Sequence, residues 1–113
     1  MSAITTHILD VSTGSPARGV SVTLERQTTT GWEIVGKGKT DDDGRLRDLL
    51  DSKAILQTGN YRLIFDTENY FLQQKIESFY PQVTVAFAVR DAAQHYHVPL
   101  LLSPFGYSTY RGS

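Results

Sequence analysis

The sequence predicts an all-β sandwich or barrel occupying residues 1–113 as a single domain, and three observations predict it. Glycine and other turn residues recur at short intervals, among them Gly14, Gly19, Gly31, Gly38, Gly44, Gly59 and Gly106. The segments between them are β-branched or aromatic, of strand length, and alternate apolar with polar residues, which is the pattern of half-buried strands. The chain of 113 residues is 40% hydrophobic and 20% charged, with no internal repeat, low-complexity tract or linker to mark a second unit.

Each element follows from its own residues. The first strand covers residues 4–10, with Ile4, Thr6 and Ile8 on one face and Thr5, His7 and Leu9 on the other. Residues 12–16 read as a turn, and Val20, Val22 and Leu24 as the inward face of a second strand. After a polar tip at residues 28–31, Trp32, Ile34 and Gly36 are expected to continue the inward pattern. The acid-rich run Asp41-Asp42-Asp43-Gly44 is a turn leading into a short segment with Arg45 and Arg47. Tyr61, Leu63 and Phe65 alternate in a further strand, and Asp66 is placed to cap a short helix reaching about residue 73. Val83, Val85 and Phe87 alternate again. In the stretch from His95 to Leu102, Tyr96, Val98, Leu100 and Leu102 face the core, while His95, His97, Pro99 and Leu101 face out. Pro99 predicts an edge strand or a bulge, because proline cannot donate to a ladder. Pro104 and Gly106 break the chain, and residues 107–113 read as a last strand.

Composition excludes several functions. Eleven basic and twelve acidic residues give a formal charge of -1, so no basic field draws nucleic acid or anionic lipid. The absence of cysteine removes disulfides, thiol nucleophiles and thiolate metal sites. No apolar run is long enough to span a bilayer and no secretory signal is evident, so a soluble, cytoplasmic protein is expected. Two outward faces, one with Thr5, His7 and Leu9 and one with His97, Pro99 and Leu101, mix imidazole with apolar groups. A subunit interface or a ligand groove accounts for such faces.

The reactive groups left are imidazole, guanidinium, carboxylate and hydroxyl. Imidazole titrates near ~6.5 and can take a proton from water and return it to a leaving group. Arg45, following a glycine turn, can hold a planar or anionic ligand. Together His7, Arg45 and His97 suit hydrolysis of a carbonyl compound by activated water, although strand histidines most often only pack or face solvent. His95 and His97 share a strand face, but no third metal ligand is positioned beside them. The acidic turn lacks the ligand spacing of a calcium loop, Gly36-Lys37-Gly38-Lys39-Thr40 lacks that of a phosphate loop, and no serine lies in a nucleophile elbow.

Several stretches go beyond spacing. Thr6-His7-Ile8-Leu9-Asp10, then Gly14, Pro16-Ala17 and Gly19-Val20, then Thr40-Asp41 and Asp43-Gly44-Arg45 resemble the transthyretin-like family. Phe79-Tyr80-Pro81, the run from His95 through Pro104, and the terminal Tyr110-Arg111-Gly112-Ser113 extend the likeness over nearly the whole chain. With that terminal tetrapeptide, and with His7, Arg45 and His97 in place, the chain resembles the 5-hydroxyisourate hydrolases of this family and not its hormone carriers.

The resemblance implies a transthyretin (prealbumin)-like antiparallel sandwich of seven to eight strands with one short helix, assembled as a homotetramer, a dimer of dimers with its sites between dimers. It implies hydrolytic opening of the six-membered ring of 5-hydroxyisourate, giving 2-oxo-4-hydroxy-4-carboxy-5-ureidoimidazoline on the route from urate to allantoin. His7, Arg45 and His97 are then the catalytic residues. Arg45, Tyr110, Arg111, Gly112 and Ser113, with the terminal carboxylate, form the substrate pocket. Neither metal nor organic cofactor is expected, and which histidine is the base stays open. A small-molecule carrier and an adhesion or carbohydrate-binding sandwich are the competing classes. A carrier needs no acid–base groups, and an adhesion module needs no polar groups turned into a shared groove.

Overall fold

Alternation along the chain sorts its strands into two sheets that share one core. The computed structural model describes residues 3–50 and 55–113. In order, its elements are β1 (Ile4–Asp10), β2 (Ser15–Pro16), β3 (Ser21–Gln27), β4 (Trp32–Lys39), β5 (Arg45–Leu46), β6 (Gly59–Phe65), α1 (Thr67–Leu72), β7 (Val83–Val89), β8 (Tyr96–Ser103) and β9 (Gly106–Thr109). Seven of the described strands have four residues or more, and β2 and β5 have two each. The first sheet runs β2-β1-β8-β9 with β5 also on β1, and the second runs β4-β3-β6-β7. Ile4, Ile8, Leu100 and Leu102 from the first sheet meet Val22, Leu24, Leu63, Phe65 and Val83 from the second, all but sealed from solvent. Asp66 caps α1 as expected, its side chain accepting from the Asn69 N–H.

Three features depart from the sequence reading. Ile34 is exposed, and Val35 packs against the core in its place. The cause is a β-bulge: Leu24 pairs with Gly36 but Glu25 with Ile34, so Val35 is the extra residue and the alternation inverts beyond it. Trp32 accordingly lies on the outer face, its ring 4.2 Å beneath the Arg62 guanidinium.

The second departure is that β8 is not at an edge. It lies between β1 and β9, and its pairing with β1 is parallel, in an otherwise antiparallel fold.

The third is that the last strand stops at Thr109. The β8–β9 ladder ends at Leu100↔Thr109 and resumes in the same register only as a single bridge, His97↔Gly112. Pro99 makes the gap, since it has no N–H to offer Tyr110. Its carbonyl accepts instead from the Thr109 hydroxyl at 2.7 Å. A proline is thus accommodated inside a sheet, at a place where one neighbour has been replaced by a side chain.

Candidate active site

One edge of β1 is shared end to end by two short partners, and that arrangement builds the site. β5 pairs with the first half of β1, Thr6↔Leu46 and His7↔Arg45, while β2 pairs with the second half. On its other edge β1 meets β8 in parallel register, Thr5↔His97 and His7↔Pro99. Paired residues point to the same side of a sheet. Thr5, His7, Arg45 and His97 therefore converge on the outer face of the first sheet.

The acidic turn fixes Arg45. The Asp41 carboxylate accepts from the backbone N–H groups of Asp43 and Arg45, each at 2.9 Å. The Arg45 N–H is the main reason the Asp41 carboxyl titrates below its ordinary value, with Asp43, Arg47 and the Arg45 charge adding to it. Gly44 has φ +73°, and a Cβ there would collide with the Ile8 carbonyl oxygen. The glycine lets the turn close on β1, where Ile8 donates its N–H to the Gly44 carbonyl at 2.8 Å.

The two catalytic candidates among the histidines are held differently. His7 places Nε2 3.0 Å from the carbonyl oxygen of Asp43. A carbonyl only accepts, so Nε2 carries the proton and the neutral ring keeps its lone pair at Nδ1. His97 places Nδ1 2.8 Å from the Thr5 hydroxyl, and His95 places Nε2 3.0 Å from the same oxygen. Burial, followed by the positive charges of Arg45, His7 and His95, holds the His97 imidazole below its ordinary value. The tail braces this ring. The Gly112 N–H donates to the His97 carbonyl at 2.8 Å, and a Cβ on Gly112 would lie 2.5 Å from His97 Cδ2.

A cavity of about 240 Å³ opens here, lined by Thr5, Arg45, Arg47, His95, His97 and Ser113 among others. The structure thus brings Arg45, His97 and Ser113 around one space. His7 stands beside Arg45 in register, outside the cavity wall. Tyr110 and Arg111 lie on the opposite side of His97, in a second cavity of about 220 Å³ with Val85, Phe87 and Tyr96. The Arg111 guanidinium sits 4.6 Å over the Tyr96 ring and donates to the Gln94 side chain at 2.8 Å.

Sequence reasoning missed three contributors: the Thr5 hydroxyl between two imidazoles, Arg47 as a second cation on the cavity, and the Asp43 carbonyl that sets the His7 tautomer. Alternation had put Thr5 on the right face, but the two-residue spacing of His95 and His97 suggested chelation, not a shared hydrogen-bond partner. Among the described residues no three His, Cys, Asp or Glu side chains are grouped to hold a metal ion. No helix among them is long and apolar enough to cross a membrane.

The arrangement offers imidazoles as proton acceptors and two guanidiniums facing a cavity of about 240 Å³. Comparison with known proteins gives the same chemistry a lineage. The HIUase/Transthyretin family model matches residues 4–112. The 5-hydroxyisourate hydrolase of Salmonella dublin is 49% identical over 110 residues, covering 97% of this chain and 80% of that protein. The mouse 5-hydroxyisourate hydrolase is 45% identical over 114 residues, covering 99% and 96%. Among solved structures, Klebsiella pneumoniae 5-hydroxyisourate hydrolase superposes with a TM-score of 0.85 at 39% identity, over 97% of this chain and 98% of that one. Sea bream transthyretin in complex with thyroxine superposes with a TM-score of 0.91 at 32% identity, over 98% and 95%. The backbone is shared by hydrolase and transthyretin alike, so the fold gives the family and the side chains must give the activity. From residue 4 to residue 112 the chain belongs to the HIUase/Transthyretin family.

Proposed function

We propose that this chain is a cofactor-independent 5-hydroxyisourate hydrolase, a cyclic-amide hydrolase of urate degradation. The observation that carries the reading is the convergence of His97, Arg45 and Ser113 on one cavity, with His7 paired to Arg45 beside it. A carrier needs shape and apolar contact; it has no use for imidazoles held by specific hydrogen-bond partners.

In the reaction, water adds its hydroxyl to an activated ring carbonyl and its proton goes to a histidine nitrogen. The tetrahedral oxyanion that forms is stabilised by a guanidinium, for which Arg45 is placed. The ring C–N bond then breaks, its nitrogen takes a proton, and the new carboxylic acid ionises, so one proton is released per turnover. We assign His7, with its lone pair at Nδ1, to orienting the water, and His97, on the cavity wall, to accepting its proton. Ser113 extends the cavity wall toward substrate. Gly112 supports His97 by close approach. Tyr110 and Arg111 anchor the tail from the far side, and this is the contribution to the pocket we assign them.

The active assembly we propose is a homotetramer, a dimer of dimers with its sites between dimers, acting in the cytoplasm. The partly exposed face carrying His7, Leu9, His97 and Leu101 supports that reading, since it offers apolar area around the imidazoles for a second copy to cover.

The test is direct. Purified protein is added to urate with urate oxidase, and the ultraviolet absorbance of the intermediate is followed. Accelerated decay, proportional to protein, is expected; decay at the spontaneous rate would refute the activity.

A further inference from the structure

The Thr5 hydroxyl is nearly buried, at 4% exposure, and has an imidazole nitrogen on each side: His97 Nδ1 at 2.8 Å and His95 Nε2 at 3.0 Å. A hydroxyl carries one proton. It donates to one of these nitrogens and accepts from the other, so the two rings cannot be set independently. In one arrangement His95 Nε2–H donates to Thr5 and Thr5 donates to His97 Nδ1, which leaves a proton on His97 Nε2. In the other, His97 Nδ1–H donates to Thr5 and Thr5 donates to His95 Nε2, which leaves the His97 Nε2 lone pair open. Reversing the chain converts His97 Nε2 from donor to acceptor. His7, tied to a carbonyl, has no such freedom.

The geometry points to Thr5 and His95 as positioning residues that form a proton relay behind His97, with His95 as its solvent-facing end. This inference rests on the proposed hydrolase reading. The balance of protons fits it. When His97 Nε2 takes a proton from the attacking water, its Nδ1 proton moves to Thr5 Oγ1, and the Thr5 proton moves to His95 Nε2. The charge then sits on His95, whose ring is exposed to solvent. As His97 Nε2 gives its proton to the departing ring nitrogen, the chain runs back: His95 Nε2 returns a proton to Thr5 and Thr5 returns one to His97 Nδ1, so His97 is neutral at the start and at the end. The new carboxylic acid then ionises, and that is the one proton released per turnover.

Charge around His97 favours this over storing the proton on the ring. His7 on β1, Arg45 on β5, Arg47 just after it, His95 just before β8 and Arg111 of the tail are the titratable or charged groups around it, with Ser113 across the cavity. None is a carboxylate side chain able to hold an imidazolium at His97. Passing the proton outward avoids that penalty.

The test uses Thr5→Val, Thr5→Ser and His95→Ala in the intact protein. Thr5→Val removes the hydroxyl at nearly constant volume and is expected to lower kcat roughly 10- to 100-fold with KM little changed, whereas Thr5→Ser retains wild-type kcat within about two-fold. His95→Ala is expected to become dependent on buffer concentration, with imidazole added to the assay restoring kcat. Long-range ¹H–¹⁵N spectra give a readout independent of turnover: His97 exchanges between tautomers in the wild type and is fixed in one in Thr5→Val. Wild-type kcat in Thr5→Val, equal losses in Thr5→Val and Thr5→Ser, or a His95→Ala enzyme that ignores buffer would each overturn the relay. A wild-type protein that does not act on 5-hydroxyisourate would instead overturn the hydrolase reading.

Discussion

In the proposed site, His97 is the histidine whose titration its surroundings shift. Its ordinary value is 6.5, and burial lowers it first, with the cationic neighbours lowering it further. The ring is therefore neutral at pH 7 and stays so into mildly acidic solution. The acid limb of kcat/KM is expected below pH 6.5, and an NMR titration of His97 should give the same value. Replacing Arg45 by Met removes a positive charge, favours the imidazolium and should move that titration upward; an unmoved or lowered midpoint would contradict the geometry. The same direction governs stability. The unfolded chain protonates His97 near 6.5 while the folded chain resists, so this contribution is complete above pH 6.5 and declines as pH falls toward the folded value. His7→Ala, Arg45→Ala and His97→Ala are each expected to lower turnover by about 100-fold or more, the usual size for a placed acid–base or charge-stabilising group. Circular dichroism must show the fold intact, and near-normal turnover in any one of them removes that residue from the chemistry.

Among the elements, the tail past β9 has no continuous ladder, yet it is held at Gly112 by the His97 carbonyl and at Arg111 by Tyr96 and Gln94. Gly112→Ala would force its new methyl into His97 Cδ2 and Pro99 Cγ. Turnover is expected to fall at least about 10-fold with thermal stability little altered, since the strain is local and can relax through an exposed tail. Deleting residues 110–113 should abolish turnover in a protein that still sediments as an oligomer; a fully active truncation would show the tail to be decoration. The helix has its own strut. The Tyr70 hydroxyl donates to the buried Asp10 carboxylate at 2.8 Å, and burial together with that carboxylate pushes the phenol up to about 12. Asp10 also accepts from the Ser12 backbone N–H and hydroxyl. Tyr70→Phe leaves one buried carboxylate oxygen without this donor and should destabilise the fold by about 1–3 kcal/mol in denaturant titration. Strands whose faces differ sharply, such as β1, β3 and β6, were legible from alternation alone. β4 was not, because a bulge at Val35 is a property of the pairing and leaves no mark in the residues themselves. Pro99 misdirected the reading of β8 because the compensating donor, Thr109, lies ten residues away. The site was half legible: residue type and face gave His7, Arg45 and His97, whereas the bond from Thr5 to two imidazoles depends on a register between strands some ninety residues apart.

For the whole molecule, the site lies on an outer face, not in the core. His7, His97, two arginines and the side chains of Leu9 and Leu101 share that face. In the proposed tetramer the cavity is completed between copies, and activity is then expected to depend on assembly. Serial dilution followed by sedimentation and turnover should show specific activity falling as the oligomer dissociates; constant activity in a dissociated protein would place the whole site within one chain. The parallel pairing of β1 with β8 has a further consequence, for the order in which the molecule forms. Thr5 and His97 are 92 residues apart, and the entropy of closing so long a loop must be met before their contact gives anything back. A nascent chain that has produced β1 but not β8 carries a strand with an open edge, liable to pair with a neighbour on a crowded polysome. β1 is thus made long before β8 yet can be seated only after it, so the proposed site cannot form until synthesis has passed both strands.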